Sequence, residues 1–150
     1  MARIKLTLPP LFSFSVHIPI RITDVNYGGH VGNDAILSII HEARLQFLQG
    51  LGYSEMDIEG VGLIMADVAI EFKAEAFYGD VIEVSIAAND FNRVGFDLIY
   101  KLEKKQENKI VTVAIAKTGM VCFDYSLKKV AALPNKASEK LQAQTLISLR

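Results

Sequence analysis

The sequence predicts an α+β fold in which a five-stranded antiparallel sheet wraps around one long central helix. Two observations carry this. A single long apolar stretch of helical character follows the first strand, and four segments of period-two alternation come after it, joined mostly by short turns. One helix set apart from a run of strands is the pattern of an antiparallel sheet packed on that helix, not of repeated βαβ units.

Each element has its own signature. After Pro9 and Pro10, the residues Phe12, Phe14, Val16, Ile18, Ile20 and Ile22 alternate with Ser13, Ser15, His17, Pro19, Arg21 and Thr23, a first strand. Pro19 has no amide hydrogen for the ladder, so this strand is expected at a sheet edge or at a bulge. Tyr27-Gly28-Gly29 is a turn signal, and Asn33-Asp34 supplies a capping side chain and a carboxylate for the first turn of a helix. That helix runs through Ala35, Ile36, Leu37, Ile39, Ile40, Ala43, Leu45, Phe47 and Leu48 to the stop signals Gly50 and Gly52. Apolar residues occupy more than one stripe of its first half, so it is expected to be largely buried. Polar Glu42, Arg44, Gln46 and Gln49 bring its second half closer to water.

Strands dominate the remainder. Val68, Ile70 and Phe72 alternate with Asp67, Ala69, Glu71 and Lys73, and Ile82, Val84 and Ile86 follow the turn Tyr78-Gly79-Asp80. Val94 to Leu102 and Ile110 to Phe123 form a hairpin about the polar turn Lys104 to Lys109. The last strand has the small residues Thr112, Ala114, Ala116 and Thr118 on one face, which lets a helix approach closely. Ser138 to Leu149, with Leu141, Leu146 and Leu149 at helical spacing, reads as a loosely attached C-terminal helix.

Composition bounds the function. The 150 residues, 51% of them hydrophobic, suit a single domain with its core over about 11–133 and a C-terminal extension at 134–150. Sixteen basic and seventeen acidic residues give a net charge of -1, without the basic field that nucleic acid or membrane phosphates require. The lone Cys122 and the absence of clustered Cys and His point to a reducing, cytoplasmic setting, no metal and no cofactor. The apolar N-terminal stretch is broken by Pro9, Pro10, Ser13 and Ser15 and reads as neither a signal peptide nor a membrane span.

The segment Arg21-Ile-Thr-Asp-Val-Asn-Tyr-Gly-Gly-His-Val-Gly-Asn33 resembles the hotdog-fold acyl-CoA thioesterases of the 4-hydroxybenzoyl-CoA thioesterase class. The resemblance extends over roughly residues 12 to 125 and includes His41-Glu-Ala-Arg44, Asp67 to Lys73 and Phe77-Tyr-Gly-Asp80. The family motif runs Asp-x-Asp-x-x-Gly-His-Val-x-Asn. Asp24, Gly29, His30, Val31 and Asn33 match it, while Asn26 stands where the second Asp, the usual catalytic residue, belongs. The resemblance implies two subunits joining their sheets edge to edge, as a dimer or a dimer of dimers. It also implies a shared site, with the loop of residues 24 to 30 and the helix start from one subunit and the strand around Leu63 to Asp67 from the other.

Thioester hydrolysis needs a polariser for the carbonyl oxygen, a base or nucleophile near the carbonyl carbon, and room for the acyl chain. The amides around Gly29 and His30 are the expected oxyanion donors, with Gly28 allowing close approach. Alone, Gly28-Gly29 would be read as a turn; the surrounding motif reverses that preference. Asp24 and Asn26, two apart, would share one side of an extended segment. Asn26 is uncharged and cannot be a base, so it is expected to hold water or the thioester. His30 is the first candidate base, weighed evenly against a helix-start histidine bonded to local backbone. Asp67 is the second candidate, reaching in from a partner, although a strand-surface carboxylate is the commoner reading. Asp24 comes third. Asp24, Tyr27, Gly28, Val31 and Asn33 are assigned to substrate binding, with Tyr27 equally able simply to pack. Glu42 lies nine residues beyond Asn33, roughly 13 Å along a helix, too far for direct chemistry. His17 and His41 have no partner pattern and read as strand-surface and helix residues.

The leading reading is hydrolysis of acyl-CoA or acyl-carrier-protein thioesters. Its rival is a non-catalytic hotdog module that binds acyl-CoA as a sensor or carrier, since Asn26 removes the expected carboxylate. Dehydratase action is disfavoured by the absence of a His-Phe-Pro type motif.

Overall fold

The computed structural model describes residues 2–148. Its elements are β1 (Phe14–Pro19), a 3₁₀ turn (Ile22–Asp24), α1 (Asn33–Gly50), β2 (Gly62–Phe72), β3 (Val81–Asn89), β4 (Gly95–Gln106), β5 (Lys109–Asp124), the two-residue β6 (Lys129–Val130) and α2 (Asn135–Ser148). The sheet runs β1-β3-β4-β5-β2, with β6 on the end of β5, and every pairing is antiparallel.

β1 is an edge strand paired only with β3, and Pro19 closes its register opposite Val81, where no ladder bond is missed. The alternation that suggested strand as far as Thr23 is overridden there. The Asp24 carboxylate accepts from the Arg21 amide at 2.8 Å and winds Ile22–Asp24 into the 3₁₀ turn. At the opposite edge β2 pairs only with β5, so the other side of its eleven-residue backbone is unpaired in the chain.

α1 lies on the inner face of the sheet. Ile36, Ile39, Ile40, Ala43, Phe47 and Leu48 share one buried core with Val84, Ile86, Leu98, Tyr100, Leu102, Ala114 and Ala116, and the backbone of α1 comes nearest to β1 and β3 rather than to the small residues of β5. Each such buried aliphatic or aromatic side chain contributes roughly 1.5–3 kcal/mol relative to exposure. Two expectations for α1 need correction. Its cap is Gly32, not Asn33, with no capping side chain. Its second half does not simply approach water either, because Arg44 is buried and satisfied by Glu55 Oε2 at 3.3 Å and by the Tyr100 hydroxyl at 3.3 Å. Ser38, His41, Glu42 and Leu45 form the exposed face, so the helix is amphipathic.

The C-terminal helix is docked where loose attachment was expected. Ala137 and Leu141 are buried in the core, with Leu133 beside them, and α2 packs against β3. Leu149 lies outside the described residues, as does the side chain of Leu146.

Two bulges matter for the site. Between Leu102 and Glu103 the partner on β5 jumps from Ala114 to Thr112, leaving Val113 as the extra residue, whose carbonyl accepts the amides of Lys73 and Ala74 at 2.8 and 3.1 Å. Between Met65 and Asp67 a second bulge leaves Ala66 unpaired and sets Asp67 opposite Gly119.

Candidate active site

The loop between the 3₁₀ turn and α1 is closed at its base by Asp24. The side chain is buried, both carboxylate oxygens accept from Arg21, and its backbone carbonyl accepts the Gly32 amide at 3.1 Å. The helix start is thereby tied to the strand end. Within this frame Asn26 organises the tip. Its amide donates to the His30 carbonyl at 2.9 Å, its own carbonyl accepts Gly29 N–H at 3.0 Å, and its side-chain oxygen accepts Gly28 N–H at 2.9 Å. Asp24 and Asn26 therefore do not share one side: the carboxylate turns to Arg21 and the amide to Gly28.

His30 is partly buried, and its Nδ1 lies 3.2 Å from the Val31 carbonyl. A carbonyl can only accept, so this bond places a proton on Nδ1, and in the neutral ring Nε2 is the acceptor. A Cβ on Gly28 would stand 3.2 Å from Asn26 Oδ1, 3.6 Å from His30 Nε2 and 3.7 Å from His30 Cδ2, so the carboxamide and the Nε2–Cδ2 edge of the imidazole both lie beside Gly28. Of the two amides expected as oxyanion donors, that of Gly29 is used in the turn, while that of His30 makes no hydrogen bond among the described residues. Gly29 adopts φ 87, the left-handed region, with open space where a Cβ would be. Glycine adopts this conformation without the strain an L side chain would meet.

A cleft of 310 Å³ opens beside this loop. Its first wall is His30, Val31, Asn33 and Ile36, from the loop and α1; its second is the segment from Phe72 to Ala76 with Val113 from the β5 bulge. The walls are joined by a bond from the Val31 amide to the Ala76 carbonyl at 2.8 Å. The lining of Phe72, Ala74, Ala76 and Val113 was missed in the sequence. These residues lie some forty or more positions from His30, and Lys73 to Ala76 carries no chemical motif. A larger hollow of 390 Å³ lies beyond the same segment, lined by His17, Asp80, Glu83 and Glu103 among others, and contains none of the predicted site residues.

Tyr27, Asn26 and Asn33 are exposed, the first fully. Asp67 is not brought to the loop within the chain. Its Oδ1 accepts from Lys117 Nζ at 2.9 Å and from the Gly119 amide at 3.0 Å, and the Lys117 hydrogen bond chiefly holds its carboxyl below the ordinary range. His17 pairs across the strands with Glu83 at 3.0 Å and His41 with Glu55 at 2.7 Å, so both histidines are engaged away from the cleft. Glu42 accepts from Gln46 on the outer face of α1. The Cys122 thiol is buried, and burial pushes it up to about 11, which removes it as a nucleophile. No group of His, Cys, Asp and Glu among the described residues could hold a metal, and no helix among them is long and apolar enough to cross a membrane.

The family model of the thioesterase-like superfamily matches residues 20–141, a span that includes the loop, the helix and both walls of the cleft. This chain belongs to the thioesterase-like superfamily. It is 27% identical over 127 residues to the 1,4-dihydroxy-2-naphthoyl-CoA hydrolase of Synechococcus elongatus, covering 82% of this chain and 90% of that protein. A thioesterase-superfamily structure from Jannaschia sp. CCS1 superposes with a TM-score of 0.79 at 15% identity, covering 91% of this chain and 85% of that one. A mutant of 4-hydroxybenzoyl-CoA thioesterase complexed with 4-hydroxybenzoyl-CoA gives 0.76 at 16% identity, covering 85% and 97%. The hotdog fold and the thioester-hydrolase class expected from the motif at Asp24 to Asn33 are borne out at the level of the superfamily.

Proposed function

We propose that this thioesterase hydrolyses acyl-CoA thioesters, with His30 Nε2 as general base and the Asn26 carboxamide holding the attacking water. The observation that carries the reading is that His30 lines the cleft with Nδ1 bonded to the Val31 carbonyl, leaving Nε2 as the acceptor, while Asn26 Oδ1 and the Nε2 edge of the ring both lie beside Gly28. Nε2 takes a proton from water as the oxygen adds to the thioester carbon. The His30 amide and the uncapped amides at the start of α1 receive the developing oxyanion. Collapse expels the thiolate, and the imidazolium returns the proton to sulfur. Asp67 is a poor base in this scheme, since a carboxyl held low by Lys117 binds protons weakly. An acyl-CoA substrate is supported by the names of the relatives; a carrier-protein thioester would pass through the same steps.

The site is completed by a second copy. The unpaired edge of β2, with Met65, Val68 and Phe72 exposed, offers a strand for edge-to-edge addition, and the exposed Asn26 and Tyr27 leave the loop open for a partner to cover. A panel of acyl-CoAs followed by free thiol release tests the chemistry, and tight binding without turnover would replace the hydrolase with a sensor or carrier. Sedimentation tests the dimer, which a stable monomer at micromolar concentration would overturn.

A further inference from the structure

Lys104, expected in the polar turn of the β4–β5 hairpin, is instead a buried cation on β4 whose surroundings lead back to His30. Its Nζ donates to the Glu75 carbonyl at 2.7 Å and to Asp80 Oδ2 at 3.1 Å, and it stands 5.0 Å from the centre of the Phe77 ring. Asp80 Oδ2 also accepts the Phe77 amide at 2.8 Å. One ammonium thus gathers both ends of the segment from Glu75 to Asp80. The next residue after Glu75 is Ala76, whose carbonyl accepts the Val31 amide, and the Val31 carbonyl in turn accepts His30 Nδ1–H. A continuous series of bonds and single peptide units runs from the Lys104 ammonium to the imidazole.

We infer that Lys104 is a positioning residue that sets the orientation and tautomer of His30 through the segment from Glu75 to Ala76. The inference rests on the reading of His30 as base but concerns a residue that reading does not use. Lys104 touches neither His30 nor the loop tip. What it supplies is geometric: an ammonium anchored on Asp80 holds the Glu75 carbonyl, and so fixes the height of the Ala76 carbonyl against which Val31 is pinned. Without it, that carbonyl is free to move, Val31 loses its fixed partner, and the Nδ1–H to Val31 bond that selects the tautomer weakens.

The test uses the full chain. Lys104→Met keeps the stem and removes the donors; Lys104→Arg keeps the charge and a donor. Long-range ¹H–¹⁵N spectra of the histidine rings, with His30 assigned through His30→Gln, read the tautomer directly. The expected result is a single Nδ1–H tautomer in the wild type and a mixture in Lys104→Met, with kcat reduced about 10–100-fold and KM changed less than about threefold. Lys104→Arg should recover most of both. If Lys104→Met does not fold, Asp80→Asn, which keeps an acceptor for the Phe77 amide but discharges the anchor, should shift the tautomer in the same direction. An unchanged His30 tautomer in a folded Lys104→Met or Asp80→Asn protein overturns the inference, as does a loss of stability with kcat intact. The tautomer is read without turnover, so a His30→Ala protein that kept full activity would remove the base assignment and leave this result standing on its own.

Discussion

Replacing Gly28 with alanine separates the chemistry of the loop from its stability. Gly28 is not in the left-handed region, so its backbone accepts an L side chain, and the new methyl carbon would meet Asn26 Oδ1 at 3.2 Å and His30 Nε2 at 3.6 Å. The first contact is tight by a few tenths of an ångström and is relieved by a small movement of an exposed side chain. Folding stability should therefore change by no more than about 1 kcal/mol. The second is an ordinary van der Waals contact shared with His30 Cδ2 at 3.7 Å, so the methyl lies beside the Nε2–Cδ2 edge and crowds a water approaching Nε2. Turnover should fall by about tenfold, ~1.4 kcal/mol of barrier. Gly29→Ala is the converse control. At φ 87 with nothing near its Cβ, it should lose about 1–2 kcal/mol of stability to backbone strain while the folded protein keeps its kcat. Thiol release from acyl-CoA and urea titration read the two effects, and the buried Cys122 does not interfere with a thiol reagent in the folded protein. A Gly28→Ala protein with unchanged turnover would refute the placement of the water between Asn26 and His30.

Two further outcomes follow from polar pairs away from the cleft. Tyr100→Phe removes a hydroxyl bonded to Thr118 Oγ1 at 2.8 Å and to Arg44 at 3.3 Å in the core, and should lower the unfolding free energy by about 1–3 kcal/mol in urea without altering the m-value. Asp67→Asn should leave kcat unchanged and lower stability at pH 7 by no more than about 1 kcal/mol, because its pair with Lys117 is exposed and screened. The folded carboxyl lies below its unfolded value, so this contribution is present above the unfolded value and disappears as pH falls through the folded one; the difference between variant and wild type should close in acid.

The chain's local signals and its long-range pairings differ in how far they could be read. Alternation marked the five strands, and Pro19 marked an edge, because both are properties of consecutive residues. The turn from Tyr27 to Gly29 and the loop it belongs to were legible for the same reason. Arg44 was misjudged because a helix pattern does not contain Glu55 or Tyr100, the partners that make burial of a guanidinium tolerable. The pairing of Asp24 with Arg21 bends the expected extended segment, and the Gly32 cap follows from that bend. The second wall of the cleft depends on a bulge at Val113, which adds one residue to a strand without changing its composition. α2 is held by Ala137 and Leu141, two contacts that weak periodicity conceals.

The pH dependence of kcat/KM for one acyl-CoA, measured on wild type and on His30→Ala, tests the assignment of His30 most directly. With an imidazole base the wild-type profile has an ascending limb that belongs to His30. Its removal should lower the rate by ~10²–10⁴ and abolish that limb. A His30→Ala protein with the full rate and the same profile would contradict the assignment and pass the role of base to a carboxylate, Asp67 of a second copy being the first to examine.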